Sequence, residues 1–389
     1  RSLLWTTRRS TPVVSATALG SPDPTLGYPP PLGSGVKSPE QWRTVLMGGL
    51  RDGGQSYYAL DITEPVDGAS QSSSAYPRYL WGFPCDDCAQ ASNPGSASET
   101  PWMGHTWSDP VITRVRVFSD MNSNPLGFER WVAIFGAGYH ANGDPNHIEY
   151  KTPDAPGFSA EGRGIYIVDI TTGEVLAKKV FTSSDTSIAG AQYGFDEMRY
   201  AFASAPAVFD LDFDGFADVV YIGDLGGNVW KWVLRAPGDD PVNNGAAHGN
   251  LAQPNWPFRL FFRGAASTEP PPEALGQPFD ITVQHPSFFF PPTGVRKGAE
   301  LHLAFGSGER NNPKGSASEY ADGDPDNNNH YYVVRDPNPY DVFETPPNAI
   351  GDAATESDLA DFNGPGAMSC SQMKTTKQGY FITGRDSEK

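Results

Sequence analysis

Residues 209–232 read FDLDFDGFADVVYIGDLGGNVWKW and concentrate carboxylates directly against an apolar segment. Asp210, Asp212 and Asp214 alternate, Gly215 follows, and Asp218 closes the run. The spacing D-x-D-x-D-G-x-x-D matches the opening of a calcium loop. Asp210, Asp212 and Asp214 take positions 1, 3 and 5, and Gly215 takes position 6, where the chain must turn sharply. Phe216 at position 7 would offer its backbone carbonyl, and Asp218 stands at position 9. Calcium is a hard cation that takes six to eight oxygens, so converging carboxylates plus one carbonyl suit it. Magnesium suits the loop less, because it wants a small octahedral cage and keeps its waters. Tyr221 occupies position 12, where an EF-hand carries a bidentate Glu. The flanking AVF and VVYIG are strand-like rather than helical. The loop therefore reads as a calcium-binding turn between two strands. The plainer alternative is a solvated acidic turn, and five matched positions with the glycine in register argue against it.

Other reactive groups carry weaker patterns. Asp322, Asp324 and Asp326 alternate in DGDPDNNNH, but Pro325 and the Asn run suit a plain loop equally well. Asp120, Asn122 and Asn124 are weaker still. His105 and His140 pair with no second ligand at strand or helix spacing, so loop or core roles are expected. No G-x-S-x-G, Walker loop or H-E-x-x-H occurs. The 3 cysteines are too few for a disulfide scaffold. Cys85 and Cys88, in GFPCDDCAQ, lack the second ligand pair of a zinc site and the following helix of a redox motif. In an oxidising compartment they would form a local disulfide, with Cys370 free or bonded outside this chain.

The elements that must position the acidic loop recur along the chain. RTVLMGGLRDGGQSYYALDIT, RWVAIFGAG with GIYIVDITTGEVL, ADVVYIGDLGGNVWKWVL, and LHLAFGSG with HYYVVRD share one plan. An apolar strand ends in a glycine turn and a second strand follows. In three copies that second strand ends on an Asp: Asp61, Asp169 and Asp336. Turn chemistry is the expected role of those aspartates. A small residue, Pro and alternating apolar residues precede the later copies, as in SDPVITRVRV and SAPAVFDLD, and STPVV at 10–14 reads the same way. Pro is tolerated at the start of a strand, where it costs no ladder bond. RYLWGF and FRLFF supply fourth strands. Up to four antiparallel strands per repeat is the signature of propeller blades.

The expected fold is all-β: a modified β-propeller of four-stranded antiparallel blades with long loop insertions, with a quinoprotein-like rhythm. A single domain over 1–389 is expected, with blades near 8–85, 105–182, 203–264 and 281–345, and with 379–389 starting a further blade. Either flanking blades are missing from this chain or the ring closes in another way. Composition agrees: 42 Gly and 36 Pro in 389 residues favour strands and turns over helices. With 28 basic and 46 acidic side chains the formal net charge is −18, which repels nucleic acid and anionic membrane surfaces. No run approaches the roughly 20 apolar residues of a membrane span. The chain begins at Arg1 rather than Met, so it is expected to be a piece of a longer protein.

In order from about residue 10 to residue 336, the sequence resembles the propeller domain of the PilY family of type IV pilus tip-associated adhesins and biogenesis factors. SAPAVFDLDFDGFADVVYIGDLGGNVWKW carries the most specific part of the likeness. The resemblance implies a non-enzymatic, calcium-binding propeller that supports pilus assembly, extension and retraction control, and surface adhesion. It implies Ca2+ held by Asp210, Asp212, Asp214, the Phe216 carbonyl and Asp218. It further implies export to the pilus tip or cell surface, partnership with minor pilins of the tip complex, and host or abiotic surfaces engaged through regions outside this chain. The adhesive N-terminal region of the family has no counterpart here. Two rivals remain. A calcium-stabilised carbohydrate or matrix binder shares the fold signal, because fold does not fix function. A quinoprotein dehydrogenase shares the DITTGEV rhythm, but such enzymes carry adjacent cysteines over the cofactor, whereas Cys85 and Cys88 are separated by two aspartates.

Overall fold

The structure is a computed structural model. It describes residues 9–10, 42–62, 77–84, 96–117, 128–139, 160–181, 198, 200–234, 256, 258–264, 287–308, 330–339, 354–355, 359–361 and 379–383. A first sheet joins β3 (Val45–Gly49), β4 (Tyr57–Asp61) and β5 (Arg78–Phe83). Just ahead of it, β1 (Arg9–Ser10) pairs with β2 (Trp42–Arg43). The second sheet runs β6 (Val111–Val117), β7 (Phe128–Gly136), β8 (Gly164–Asp169), β9 (Val175–Val180). The third runs β10 (Ala207–Phe209), β11 (Val219–Gly223), β12 (Asn228–Val233), β13 (Phe258–Arg263). The fourth runs β14 (Thr293–Lys297), β15 (Glu300–Gly306), β16 (His330–Asp336), β19 (Gly379–Thr383). Pairing between neighbours within these four sets is antiparallel, as up-and-down blades of a β-propeller require.

Two short strands add to this plan in parallel. β17 (Ala354–Thr355) lies beside β13, and β18 (Ala360–Asp361) lies beside β19. The chain thus touches the third sheet again after β16 and then returns to complete the fourth. Residues 379–389 were expected to open a further blade. Instead Gly379–Thr383 pairs in register with β16, Tyr332 opposite Phe381, and is the fourth strand of the last sheet. A strand at this distance along the chain can be assigned only by its hydrogen-bond partner, which the sequence does not display.

Alternation along each strand builds the core. In β7 and β8, Val132, Ile134, Ile165 and Ile167 face the third sheet, while Ala133, Phe135, Tyr166 and Val168 face the first. In β11 and β12, Val220, Ile222, Trp230 and Trp232 face the second sheet, while Val219, Tyr221, Val229 and Val233 face the fourth. Successive side chains point to opposite faces, so a sheet packed on both faces reads as a continuous apolar run. β8, β11 and β12 are accordingly buried throughout, whereas β4 and β15 alternate buried with half-buried positions.

Polar ties stitch sheet to sheet. The Trp81 Nε1–H donates to the Ile170 carbonyl at 3.0 Å, and the Tyr57 hydroxyl to the Ser108 carbonyl at 2.6 Å. Ser108 Oγ in turn accepts from the Gly136 amide at 2.8 Å and donates to the Ser204 carbonyl at 2.7 Å. Ser108 and Ser204 are the small residues that precede the two Pro-headed strands, so the repeated serine position is where adjacent blades meet.

Candidate metal centre

The acidic loop connects β10 to β11 and organises itself through its own backbone. Asp210 Oδ2 accepts from the Gly215 amide at 2.8 Å, Asp212 Oδ1 from the Asp214 amide at 3.1 Å, and Asp214 Oδ1 from the Phe216 amide at 2.9 Å. These are the local side-chain turns that Asp favours. Asp218 Oδ2 reaches back to the Leu211 amide at 2.6 Å. Gly215 has φ of 87°, the left-handed region that favours glycine at position 6, and a Cβ there would in addition push the Arg114 guanidinium aside. At the tip Phe213 also adopts a positive φ and is 81% exposed.

Asp210, Asp212 and Asp218 each place an oxygen within 4.8 Å of the others, the one such acidic group found among the described residues. Asp218 is fully buried, and burial pushes its carboxyl up to about 7. The Leu211 amide opposes that shift and the neighbouring Asp212 and Asp214 charges add to it. Asp210 Oδ1 and Asp218 Oδ1 are buried without a hydrogen-bond partner. A buried carboxylate oxygen left without a donor costs free energy that a cation would recover. The donor set is all oxygen, which fits a hard divalent ion such as calcium.

Asp214 stands apart from the three. Its Oδ2 accepts from Arg116 at 2.9 Å. The Phe216 ring is buried, with the Arg114 guanidinium 4.9 Å and the Arg116 guanidinium 4.2 Å from its centroid. Arg114 Nε–H also donates to the Gly215 carbonyl at 2.9 Å, and the Ala217 amide donates to the Arg114 carbonyl at 2.8 Å. The loop of the third sheet is thus clamped against β6 of the second. The sequence reading missed both arginines. Their signal is their spacing: alternate residues of one strand share a face, so Arg114 and Arg116 point the same way.

The remaining candidates divide between structural roles and residues outside the described set. Asp169 Oδ1 accepts from the Thr171 and Thr172 amides at 2.8 and 3.2 Å, the turn chemistry expected of DIT. Asp61 lies 3.4 Å from Arg78. Asp336 does more than close a turn: its Oδ2 accepts from Lys231 Nζ at 2.7 Å and from the Tyr221 hydroxyl at 2.6 Å, joining the third and fourth sheets in the interior. His105 lies 3.7 Å from the exposed Asp52. Asp224, which sequence reasoning passed over, is buried and accepts from the Gly226 and Asn228 amides, from Asn228 Nδ2 and from Trp230 Nε1. Burial raises its carboxyl to about 6 against these donors. Cys85, Cys88, Cys370, His140, Asp120, Asn122, Asn124, Asp322, Asp324 and Asp326 lie outside the described residues.

Comparison with known proteins bears on this arrangement. A model of the PilY1 beta-propeller domain matches residues 35–287. A type IV pilus biogenesis factor PilY1 homolog of Xylella fastidiosa is 30% identical over 208 residues, covering 53% of this chain and 11% of that protein. Type IV pilus biogenesis factor PilY1 of Pseudomonas aeruginosa (strain UCBPP-PA14) is 27% identical over 228 residues, covering 58% of this chain and 14% of that protein. The chain therefore matches a small part of the length of these relatives. The crystal structure of the Pseudomonas aeruginosa PilY1 C-terminal domain superposes with a TM-score of 0.49 at 20% identity, over 89% of this chain and 60% of that one. With its sheets in propeller order and the family model covering most of its described strands, this chain belongs to the PilY1 β-propeller domain family.

Proposed function

We propose that this chain is the calcium-binding propeller domain of a type IV pilus biogenesis factor. In this proposal Asp210, Asp212 and Asp218 hold the ion, with Asp214 and the Phe216 carbonyl as further ligands. The observation that carries it is the pair of buried, partnerless oxygens, Asp210 Oδ1 and Asp218 Oδ1, beside Asp212. The ion supplies positive charge that lets these carboxylates stay ionised together. The chain supplies the rest. Gly215 sets the turn, Leu211 anchors the loop in the core, and Asp218 ties the loop to its own start. The role is structural and regulatory rather than catalytic, with export to the pilus tip, minor pilins as partners, and loop occupancy biasing the pilus between extension and retraction.

Extracellular calcium modules bind at roughly 10⁻⁴–10⁻³ M. At about 100 times the dissociation constant, calcium adds about 2.7 kcal/mol of stability, because it binds only the folded loop. Calorimetric titration of this chain should therefore show one-site uptake and a calcium-dependent rise in Tm, both lost in Asp210→Ala and Asp218→Ala. Uptake by Asp210→Ala as tight as the parent's removes the site. For the pilus role, a strain that loses calcium binding through this substitution yet assembles, retracts and adheres like its parent overturns the functional half.

A further inference from the structure

We propose that Arg116 sets the affinity of the acidic loop for its cation by holding Asp214 out of the coordination sphere, so that calcium and the second sheet compete for one carboxylate. The proposal rests on the calcium site above. Among the loop's four aspartates, Asp210, Asp212 and Asp218 converge, while Asp214 Oδ2 accepts from Arg116 at 2.9 Å. Arg116 comes from β6, which belongs to the neighbouring sheet, and its guanidinium lies over the Phe216 ring at 4.2 Å. Arg114, two residues earlier on the same face, donates to the Gly215 carbonyl at 2.9 Å. The two arginines therefore divide the work. Arg114 holds the backbone at the turn, whatever the state of the carboxylates. Arg116 holds the one carboxylate that the loop spacing assigns to position 5.

The exchange is energetically accessible. The Arg116 and Asp214 side chains keep 13% and 24% of their surface exposed, so a divalent ion entering the loop can reach this carboxylate and compete with the guanidinium for it. Loading the loop thereby loosens one of the contacts that join the second and third sheets, and that seam becomes the element whose state reports calcium.

The test is a set of calcium titrations by calorimetry on the whole chain as parent, Arg116→Gln, Arg116→Met, Asp214→Asn and Arg116→Gln/Asp214→Asn. Arg116→Met keeps an unbranched stem over Phe216 without the charge. Both Arg116 variants should bind calcium roughly tenfold more tightly than the parent. Asp214→Asn should bind more weakly, and adding Arg116→Gln to it should recover much less than tenfold, the coupling that a double-mutant cycle isolates. In the unaltered protein, the side-chain 15N resonances of Arg116 should shift as calcium is added. Equal or weaker binding by both Arg116 variants overturns the proposal, as does a full tenfold gain in the Asp214→Asn background or an unmoved Arg116 resonance. If the parent itself takes up no calcium, the site and this proposal fall together. If the parent binds and the variants gain nothing, only this proposal falls.

Discussion

At the scale of single residues, this chain places carboxylates where burial works against their charge and supplies donors to offset it. Asp224 is the clearest case outside the acidic loop. Its folded value, raised to about 6 by burial, lies above the value near 3.9 of an unfolded Asp. Between about pH 4 and pH 6 the folded state holds the proton more often than the unfolded state does. Stability from this group therefore falls as pH rises through that window and levels off above it. The span corresponds to about 2–3 kcal/mol at most. Denaturant titrations at pH 4, 5, 6 and 7, without calcium, should show this component in the parent and its absence in Asp224→Asn. Identical pH slopes in the two proteins would place the cause elsewhere. Asp224→Ala is a different change. It strands the Trp230 indole and Asn228 amide donors in the interior, which costs about 1–3 kcal/mol for each unsatisfied group.

At the scale of elements, β12 shows how one strand serves two interfaces. Trp230 faces the second sheet, stacks on Phe258 with centroids 5.2 Å apart and planes within 3°, and meets Phe202 at 6.1 Å. Val229 on the opposite face packs toward the fourth sheet. Trp230→Ala should destabilise by about 3–5 kcal/mol in a reversible denaturation, since it empties a packed site and releases the Asp224 carboxylate from one donor. A loss under about 1 kcal/mol would mean that the site collapses around the gap. The β16 strand behaves similarly. Tyr332 faces inward against Phe262 and Phe305, at 5.1 and 5.5 Å, while its neighbour Tyr331 is exposed.

At the scale of the molecule, the sheets are held together by apolar faces between neighbours, pinned by a small number of polar latches. The latch between the third and fourth sheets is the buried group of Lys231, Tyr221 and Asp336, in which Lys231 also donates to the Asn338 carbonyl at 3.0 Å. Both charged side chains are almost fully shielded from water. Removing one partner leaves an uncompensated interior charge, so Asp336→Ala should cost about 3–5 kcal/mol. The paired replacement Lys231→Met/Asp336→Leu should recover most of that, because two well-packed apolar groups avoid the desolvation of both ions. Equilibrium unfolding of the three proteins decides the matter. A paired variant as unstable as Asp336→Ala alone would show that the latch holds the sheets by geometry the apolar pair cannot replace.

Local chemistry was readable from the amino-acid order alone. The alternating aspartates with Gly215 in register announced the loop, because the turn is built from hydrogen bonds between residues two to seven apart. The strand pairs around each glycine turn were readable for the same reason, since antiparallel neighbours close in sequence leave an apolar run, a turn residue and a second run. Asp169 folding onto Thr171 and Thr172 belongs to this class. What the tertiary structure alone decided is every feature that depends on a partner distant in the chain. Asp214 has the right type and spacing for a ligand, yet its carboxylate pairs with Arg116, 98 residues away. Asp336 ends its strand like Asp61 and Asp169, yet it neutralises a lysine 105 residues earlier. Gly379–Thr383 reads as the first strand of something new, and only its pairing with β16 makes it the last strand of the fourth sheet. Spacing specifies which groups a segment can offer. Which of them face a cation, a guanidinium or another strand is set by the packing of one sheet on the next.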